Sequence, residues 1–342
     1  MTDHIYWKDG VLHLLDQRKL PFRKEYVECA TLASAVKAIK NMTIRGAPLI
    51  GIVAAYGVVL GLMEIISKGK EPEEMDFEKV SGVLGDARPT AVNLSWALGR
   101  MKVIFSGVQG STDLLDSLLN EAIAIHVEDI ENNRMLSLYG AELIDDGDTI
   151  LTHCNAGALA TGGYGTALGV IRAAAESGKK IKVICTETRP YMQGARLSAW
   201  ELFQEGINVE VVPDNHVGFL CDNKAIDKVI VGADRVALNG DTANKIGTYM
   251  IALCAKRYNL PFLVAAPVSS FDPRIPNGTY IEIEERNGDE VKSIRGVPVM
   301  LKEIRARYFS FDVTPARYVS SFVTEKGIIE KPFKKYIKML FR

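Results

Sequence analysis

From Asp148 onward, short β-rich runs alternate with helical stretches, and this alternation restricts the fold more than any other feature of the 342-residue chain. The predicted strands are Thr149 to His153, Ile181 to Thr186, Asn208 to Val212, Lys228 to Val231 and Pro261 to Ala266. The predicted helices between them are Gly163 to Ser177, Gln193 to Glu205, His216 to Asn223 and Gly247 to Tyr258. This order predicts an α/β fold with a Rossmann-like, mostly parallel sheet covered by helices on both faces.

The first part of the chain has mainly helical patterns, over Leu32 to Ile39, Pro48 to Ser67, Phe77 to Leu84, Ala91 to Ile104 and Leu114 to about Leu143. Before them, Ile5 to Trp7 and Val11 to Leu15 flank the turn residues Lys8-Asp9-Gly10 and predict a small β-hairpin. A chain of this length is too long for one small core. We therefore expect a mainly helical N-terminal domain with a β-hairpin over 1–145 and a Rossmann-like domain over 146–342.

Three further segments carry expectations of their own. The uncharged run from Pro48 to Met63 is shorter than the roughly 20 residues that cross a bilayer, so we expect a buried core helix. Ile281-Glu282-Ile283-Glu284 predicts an exposed edge strand. The basic segment from Lys331 to Arg342 is expected to be a solvated surface with a few anchoring aromatic side chains.

Composition excludes several classes of protein. The 41 basic and 42 acidic residues balance, so nothing indicates a nucleic-acid binder. The N-terminus has no basic segment followed by an apolar one, so we expect no signal peptide. The five cysteines are widely spaced and form no CxxC pair, so we expect free thiols in a reducing cytoplasm and no structural metal site; they are Cys29, Cys154, Cys185, Cys221 and Cys254.

Polar side chains follow the predicted strands, at the edge where ligands bind in open α/β sheets. The segments are Cys154, Glu187-Thr188-Arg189-Pro190, Asp214-Asn215-His216 and Gly232-Ala233-Asp234-Arg235. A free cysteine is more often a packing residue, which suits Cys185, Cys221 and Cys254. Position at a strand end beside glycines favours a functional role for Cys154 alone.

Asp234 has two interpretations. It could form a structural ion pair with Arg235, because ion pairs also place acids at strand ends. Alternatively, an apolar strand and two small residues deliver it to a desolvated position, where a raised pKa would keep the carboxyl protonated as a general acid requires.

Two segments are candidate phosphate sites at predicted helix starts, where N–H groups and the helix dipole favour anions. They are Arg45-Gly46-Ala47 and Gly162-Gly163-Tyr164-Gly165. Neither matches a dinucleotide or Walker motif, so nucleotide binding gains no support. Arg88 and Lys245 also lie at predicted helix starts, where a surface charge is the simpler interpretation of either one alone.

Five motifs are specific in combination. They are Ile44-Arg45-Gly46-Ala47-Pro48, Arg88-Pro89-Thr90-Ala91-Val92-Asn93-Leu94, Thr152-His153-Cys154-Asn155-Ala156-Gly157, Thr186-Glu187-Thr188-Arg189-Pro190 with Gln193-Gly194, and Gly232-Ala233-Asp234-Arg235 with Asn244-Lys245. Together they resemble the methylthioribose-1-phosphate isomerase family, within the superfamily that includes regulatory subunits of translation-initiation exchange factors. The resemblance runs from Leu14 to the region around Thr314, which is nearly the whole chain.

The resemblance implies a catalytic pair, Cys154 and Asp234, in a catalytic domain over 146–342. The implied substrate contacts are Arg45, Gly46, Ala47, Arg88, Gln193, Asn244 and Lys245, so the N-terminal domain would contribute phosphate-binding residues. The implied enzyme is a cytoplasmic homodimer without a cofactor or metal, and without nucleic-acid or membrane partners. It would convert 5-methylthio-α-D-ribose 1-phosphate into 5-methylthio-D-ribulose 1-phosphate in methionine salvage.

Three alternatives stay open. A related isomerase would act on ribose 1,5-bisphosphate or 5-deoxyribose 1-phosphate, and an apolar pocket discriminates a methylene by only about 1 to 3 kcal/mol. A regulatory subunit would use the same fold without catalysis. Within the isomerase, Cys154 would move a proton from C2 to C1 while Asp234 protonates the ring oxygen, or a hydride would shift directly between the two carbons.

Overall fold

The computed structural model describes residues 3–88 and 92–341. The chain divides into two compact units. The first contains the residues up to Asn132 together with Ala158–Gly165, and the second contains Asn133–Gly157 and the residues from Thr166 onward. These units differ from the two domains predicted from the sequence, 1–145 and 146–342, and the domain boundary therefore stays a prediction.

The first unit begins with an antiparallel sheet of three strands, β1 (Ile5–Lys8), β2 (Val11–Leu15) and β3 (Tyr26–Cys29), in the order β1-β2-β3. The first two strands form the predicted hairpin, with Ile5 opposite Leu14 and Lys8 opposite Val11. The third strand was not predicted, because its alternation is short and three of its four residues are not buried. The hairpin is therefore two-thirds of a larger sheet.

Five helices follow, and their positions confirm the predicted helical pattern. They are α1 (Leu32–Lys40), α2 (Ala47–Ile66), α3 (Glu74–Gly85), α4 (Val92–Val108) and α5 (Leu114–Ala141). Thr31 starts α1 with a capping box, because its hydroxyl accepts from Ser34 N–H while Ser34 Oγ accepts from Thr31 N–H. The last residues of α5, from Asn133, belong to the second unit.

The helix α2 is the centre of the first unit's core. It has 20 residues and extends beyond the uncharged run from Pro48 to Met63, so by length and composition the whole helix could cross a bilayer. However, nearly all of its side chains from Ala47 to Leu62 are buried against the sheet and the neighbouring helices. This burial supports the predicted core helix.

The second unit contains fifteen strands among its described residues. They are β4 (Thr149–Thr152), β5 (Lys182–Thr186), β6 (Asn208–Val212), β7 (Lys228–Val231), β8 (Arg235–Ala237), β9 (Thr242–Lys245), β10 (Phe262–Ala265), β11 (Phe271–Asp272), β12 (Glu285–Arg286), β13 (Ser293–Ile294), β14 (Val297–Pro298), β15 (Tyr308–Phe309), β16 (Phe311–Thr314), β17 (Ser321–Thr324) and β18 (Gly327–Ile329). Its helices are α6 (Ala167–Glu176), α7 (Ala199–Gln204), α8 (Val217–Asp222), α9 (Thr248–Arg257) and α10 (Phe333–Met339).

Seven strands form the central sheet, in the order β18-β17-β10-β7-β4-β5-β6. All neighbours are parallel except β18, which pairs antiparallel with β17. Side chains alternate between two apolar clusters, since Val229 and Val231 belong to one and Ile230 to the other. Helices α8, α9 and α10 contribute to the first cluster, and α6 and α7 to the second, so the predicted α/β sheet with helices on both faces is confirmed.

A smaller sheet, in the order β11-β8-β9-β16, was not predicted. Its strands have two to four residues, and two of its three pairings, β11 with β8 and β16 with β9, join distant parts of the chain, so no local pattern predicts the sheet. The edge strand predicted over Ile281 to Glu284 was wrong, because pairing begins only at Glu285. The basic C-terminal segment is a mostly exposed surface anchored by Phe333, as predicted, and it forms α10, which also buries Ile337.

Candidate active site

The strand order places the ends of β4 and β7 side by side. In chain order, β5 and β6 extend the sheet on one side of β4, and β7, β10 and β17 extend it on the other. The order therefore reverses between β4 and β7, and ligands of open α/β sheets bind beyond the carboxyl ends of strands at such a reversal. Cys154 closely follows β4, and Asp234 closely follows β7. The predicted catalytic pair thus occupies the two chain segments that leave this point.

The backbone of Cys154 is held in a strained conformation by two hydroxyl groups. Its φ of 65° lies in the left-handed region that residues with a Cβ seldom adopt. The Cys154 N–H donates to Thr188 Oγ1 at 2.9 Å, and Ser198 Oγ donates to the Cys154 carbonyl at 2.6 Å. The residue itself is 8% exposed. Both peptide groups that flank the Cα are therefore fixed by side chains from other elements.

His153 connects β4 to the chain after β9. Its Nε2 lies 2.8 Å from the carbonyl of Ile246, so Nε2 carries the proton and donates. Its Nδ1, 2.6 Å from Thr186 Oγ1, then accepts from that hydroxyl. Burial lowers the pKa of His153, which agrees with a neutral ring. This bridge holds the segment that carries Cys154 beside the one that carries Lys245.

Lys245 lies among aromatic side chains. Its Nζ is 4.8 Å from the centre of the Phe311 ring and 3.4 Å from Tyr308 Oη. Tyr308 is buried, and burial first and the charge of Cys154 second raise the pKa of its phenol. Tyr308 therefore lies within electrostatic reach of both Lys245 and Cys154, and it stays a neutral phenol at physiological pH.

Asn244 and Asp234 are joined through β9. Asp234 N–H donates to the carbonyl of Ala243 at 2.9 Å, directly before Asn244. Asn244 is buried, and its Nδ2 donates to Thr248 Oγ1 at 3.0 Å.

Asp312 lies opposite Asn244, on β16. Its carboxylate accepts hydrogen bonds from the backbone N–H groups of Gly247 and Tyr249 at the start of α9. Burial raises the pKa of Asp312 to about 6. The loop after Lys245 is thereby fixed.

Gln193 directly precedes a π-helical turn, Gly194–Ser198, that continues into α7. Gln193 is buried, and its Oε1 accepts no hydrogen bond from the part of the chain that the structure describes. A Cβ on Gly194 would lie 1.7 Å from the Thr186 carbonyl oxygen, so only glycine lets this turn lie against the end of β5. Turns of this kind are common at functional sites.

The first unit holds the other predicted substrate contacts. Arg45 is buried, and Gly46 precedes α2 with a φ of 107°. A Cβ on Gly46 would lie 2.3 Å from the carbonyl oxygen of Ala160, so the position requires glycine. Ala47 is the first residue of α2, so the positive N-terminal end of the helix dipole follows directly after Arg45 and Gly46. Arg88 is partly buried, and Pro89, Thr90 and Ala91 of its motif lie outside the described residues.

In the second predicted phosphate segment, the N–H groups of the three glycines donate within the protein. Helix α6 begins at Ala167, and the glycines before it form a loop. Gly162 N–H donates to Asp129 Oδ2 at 2.6 Å, Gly163 N–H to Thr161 Oγ1 at 3.2 Å, and Gly165 N–H to the Gly163 carbonyl at 2.7 Å. Because these three donors are used within the first unit, the structure does not support the phosphate prediction for Gly162 to Gly165.

The other cysteines pack as predicted. Cys185 and Cys221 are buried in the two apolar clusters of the central sheet, and Cys254 packs at the edge of one of them. Burial raises the pKa of Cys185 to about 12 and that of Cys221 to about 11. Thiols with such pKa values are protonated and unreactive at neutral pH.

Sequence reasoning missed Tyr308, Ser198 and the contact of Thr188 with Cys154. Thr188 belongs to a quoted motif, but nothing in the sequence shows that its hydroxyl meets a residue 34 positions away. Ser198 lies in a helical pattern in which a small polar residue is unremarkable. Tyr308 follows a stretch with little periodicity, where the large aromatic side chain itself was the one sequence feature that could have indicated a buried residue.

Comparison with known proteins decides the family. Residues 43–331 match the model of the initiation factor 2 subunit family. The chain belongs to this family. A methylthioribose-1-phosphate isomerase of Thermotoga neapolitana is 53% identical over 339 residues, which cover 99% of this chain and 98% of the relative.

Two solved structures carry different names. The crystal structure of 5-methylthioribose 1-phosphate isomerase from Pyrococcus horikoshii OT3 is 38% identical, with a TM-score of 0.88, and the match covers 100% of this chain and 96% of that one. The structure of translation initiation factor eIF-2B, subunit delta, from A. fulgidus is 39% identical, with a TM-score of 0.86 and full coverage of both chains. The fold is therefore shared by a protein named as an isomerase and a protein named as a translation initiation factor subunit.

Proposed function

We propose that this chain is an aldose–ketose isomerase that converts 5-methylthio-α-D-ribose 1-phosphate into 5-methylthio-D-ribulose 1-phosphate in methionine salvage. The observation that carries the proposal is the placement of a thiol, Cys154, and a carboxyl, Asp234, after the two strands at which the strand order reverses, in a chain about half identical to relatives of that name. A regulatory subunit has no need of this pair.

The phosphate on the anomeric oxygen prevents the sugar from opening spontaneously to an aldehyde, so the protein must assist ring opening. Asp234, as the acid, donates its proton to the ring oxygen as the bond from C1 to that oxygen breaks. Cys154, as thiolate, takes the proton from C2, and the electron pair of the C2–H bond forms a C1–C2 double bond. The intermediate is an open-chain enol that still carries the phosphate.

The second half returns both protons. The Asp234 carboxylate takes the proton of the C2 hydroxyl, so that a C2 carbonyl forms, and Cys154 gives its proton to C1. Both side chains end in their starting state, and no other reactant is consumed. Lys245 neutralises charge beside the phosphate, Asn244 and Gln193 offer amide groups, and the buried Gln193 Oε1 gains a partner in a sugar hydroxyl. Arg45, Gly46, Ala47 and Arg88 are proposed as further substrate contacts.

A substrate labelled with deuterium at C2 distinguishes this route from a direct hydride shift. In the proton-transfer route, the thiol that carries deuterium exchanges with solvent, so turnover in ordinary water should give product with reduced deuterium at C1. The measurement is the deuterium content of C1 by mass spectrometry after partial conversion. Complete retention of the label at C1 counts against the thiolate base and for the hydride shift.

An isomerase assay on three sugar phosphates tests the proposed function. We expect ketose formation from methylthioribose 1-phosphate, slower formation from 5-deoxyribose 1-phosphate, and none from ribose 1,5-bisphosphate, whose second phosphate brings two more charges. An apolar pocket distinguishes the first two substrates by only a few kcal/mol. If none of the three is converted although each binds, the regulatory-subunit alternative, favoured by the name of the A. fulgidus structure, replaces the enzyme.

We also infer the finer architecture and setting of the enzyme. The six parallel strands of the central sheet have the order 3-2-1-4-5-6 in chain sequence, which supports a Rossmann-like domain. We propose a cytoplasmic homodimer that needs no cofactor and has no nucleic-acid or membrane partner. Light scattering of the purified chain measures the oligomeric state directly.

A further inference from the structure

We propose that Thr188 and Ser198 are positioning residues that hold Cys154 in its left-handed conformation and thereby fix the direction of its thiol. These two side chains are called the Cys154 clamp. Thr188 belongs to a quoted motif and Ser198 to the π-helical turn, and neither has another role in the proposed reaction. The expected effect of the clamp on kcat rests on the proposed function, whereas its expected effect on the reactivity of the Cys154 thiol does not.

Cys154 has a strained backbone conformation. A φ of 65° brings Cβ close to the backbone, and a residue with a Cβ leaves this region unless other contacts hold it there. A change of φ rotates Cβ and Sγ about the N–Cα bond. The direction of the sulfur therefore depends on whatever keeps Cys154 at this φ.

The Cys154 clamp holds the peptide groups on both sides of the Cys154 Cα. Thr188 Oγ1 accepts the Cys154 N–H at 2.9 Å, and Ser198 Oγ donates to the Cys154 carbonyl at 2.6 Å. All three residues are buried, so water does not compete for these bonds. With the two peptide groups fixed, φ and ψ of Cys154 have no freedom to relax.

The residues of the Cys154 clamp are themselves held in place by hydrogen bonds. Thr188 has a φ of 62°, which is a clear outlier for a β-branched residue. Its N–H donates to Asp214 Oδ1 at 2.7 Å, and its hydroxyl donates to the Thr186 carbonyl at 3.2 Å, so its lone pairs remain to accept from Cys154. Strain at two facing residues, each fixed by hydrogen bonds, is typical of a preorganised site.

Ser198 has a matching support. Asn155 Nδ2 donates to Ser198 Oγ at 3.1 Å and to Glu201 Oε1 at 2.7 Å. The Ser198 hydroxyl accepts from Asn155, and its own proton is thereby directed to the Cys154 carbonyl. The Cys154 carbonyl and the Asn155 side chain therefore both form hydrogen bonds with the Ser198 hydroxyl.

The test replaces each clamp residue and measures two quantities. Thr188→Val keeps the shape and the β-branch of the side chain but removes the acceptor, and Ser198→Ala removes the donor. We expect each variant to lower kcat by about 10- to 100-fold with little change in KM, because misplacement of a reacting group by about 1 Å has effects of this size. Thr188→Ser keeps the hydroxyl and should retain kcat within about threefold.

The second quantity is the rate at which iodoacetamide alkylates Cys154, followed by mass spectrometry of the digested protein. We expect both variants to change this rate by at least about threefold relative to Cys254, a partly exposed thiol outside the clamp that serves as the internal reference. Thr188→Ser should leave the ratio of the two rates as in the unmodified chain. This readout needs no substrate and so stands even if the chain is not an isomerase.

The outcomes separate the two proposals. If the unmodified chain turns over its substrate while Thr188→Val and Ser198→Ala keep its kcat and its alkylation ratio, the clamp is wrong and the proposed function stands. If the unmodified chain is inactive but the alkylation ratio changes as expected, the clamp stands and the proposed function is wrong. Should Thr188→Val fail to fold, Ser198→Ala, which removes one oxygen atom, decides the question by the same two measurements.

Discussion

Replacement of Cys154 by Ala is expected to lower kcat by about 10³-fold, the middle of the range for a positioned acid or base. Alanine keeps the N–H and carbonyl that bond to Thr188 and Ser198, and its Cβ meets the same strain at a φ of 65°. The free energy of unfolding should therefore change by no more than about 1 kcal/mol. Initial rates with methylthioribose 1-phosphate and urea unfolding of the same preparation give the two quantities.

Cys254→Ala is the matched control, because it makes the same chemical change on α9 at a partly exposed position. We expect this variant to keep the kcat of the unmodified chain. Turnover by Cys154→Ala within about tenfold of the unmodified chain would remove the thiol from the mechanism and leave Asp234 as the acid that assists ring opening. A loss of activity in both variants would instead indicate a general sensitivity to thiol removal.

The sequence predicts five of the seven strands of the central sheet, because each of the five is a mostly apolar or β-branched run, whereas β17 and β18 were not predicted. Strands β6 and β7 begin and end where the pattern predicts, β4 and β5 differ from the prediction by one residue at one end, and β10 is one residue shorter at each end. Buried parallel strands give such runs since both faces are covered. The edge residues Cys154 and Asp234 follow from this pattern alone.

What the pattern does not predict is decided by contacts between distant residues. The start of α6 moves from Gly163 to Ala167 because the preceding glycines bond to Asp129, Thr161 and each other. The small sheet forms because β16 meets β9 from far along the chain. The clamp on Cys154 is of the same kind, since hydroxyl groups of Thr188 and Ser198 carry no periodic signal.

Replacement of Arg172 by Met is expected to lower the free energy of unfolding by about 3 to 5 kcal/mol. Arg172 is 3% exposed, and its Nη2 lies 3.6 Å from a carboxylate oxygen of Glu201, which is 5% exposed. It also forms two hydrogen bonds of 2.7 Å with Glu205. Methionine fills a similar volume but leaves the Glu201 charge uncompensated in the interior. Urea unfolding at neutral pH measures the difference.

Arg307→Met is the control, because Arg307 makes a similar two-bond pair with Glu285 on an exposed surface, at 2.8 and 3.0 Å. Pairs of that kind contribute about 0 to 1 kcal/mol. Adding Glu201→Gln to Arg172→Met should recover part of the lost stability, since the second change removes the buried charge. Glu201 also accepts a hydrogen bond from Asn155, which in turn donates to Ser198 of the Cys154 clamp. If Arg172 only compensates the Glu201 charge, iodoacetamide should alkylate Cys154 in the folded Arg172→Met protein at the rate of the unmodified chain. If Arg172 also helps to orient the clamp through Glu201 and Asn155, that rate should change.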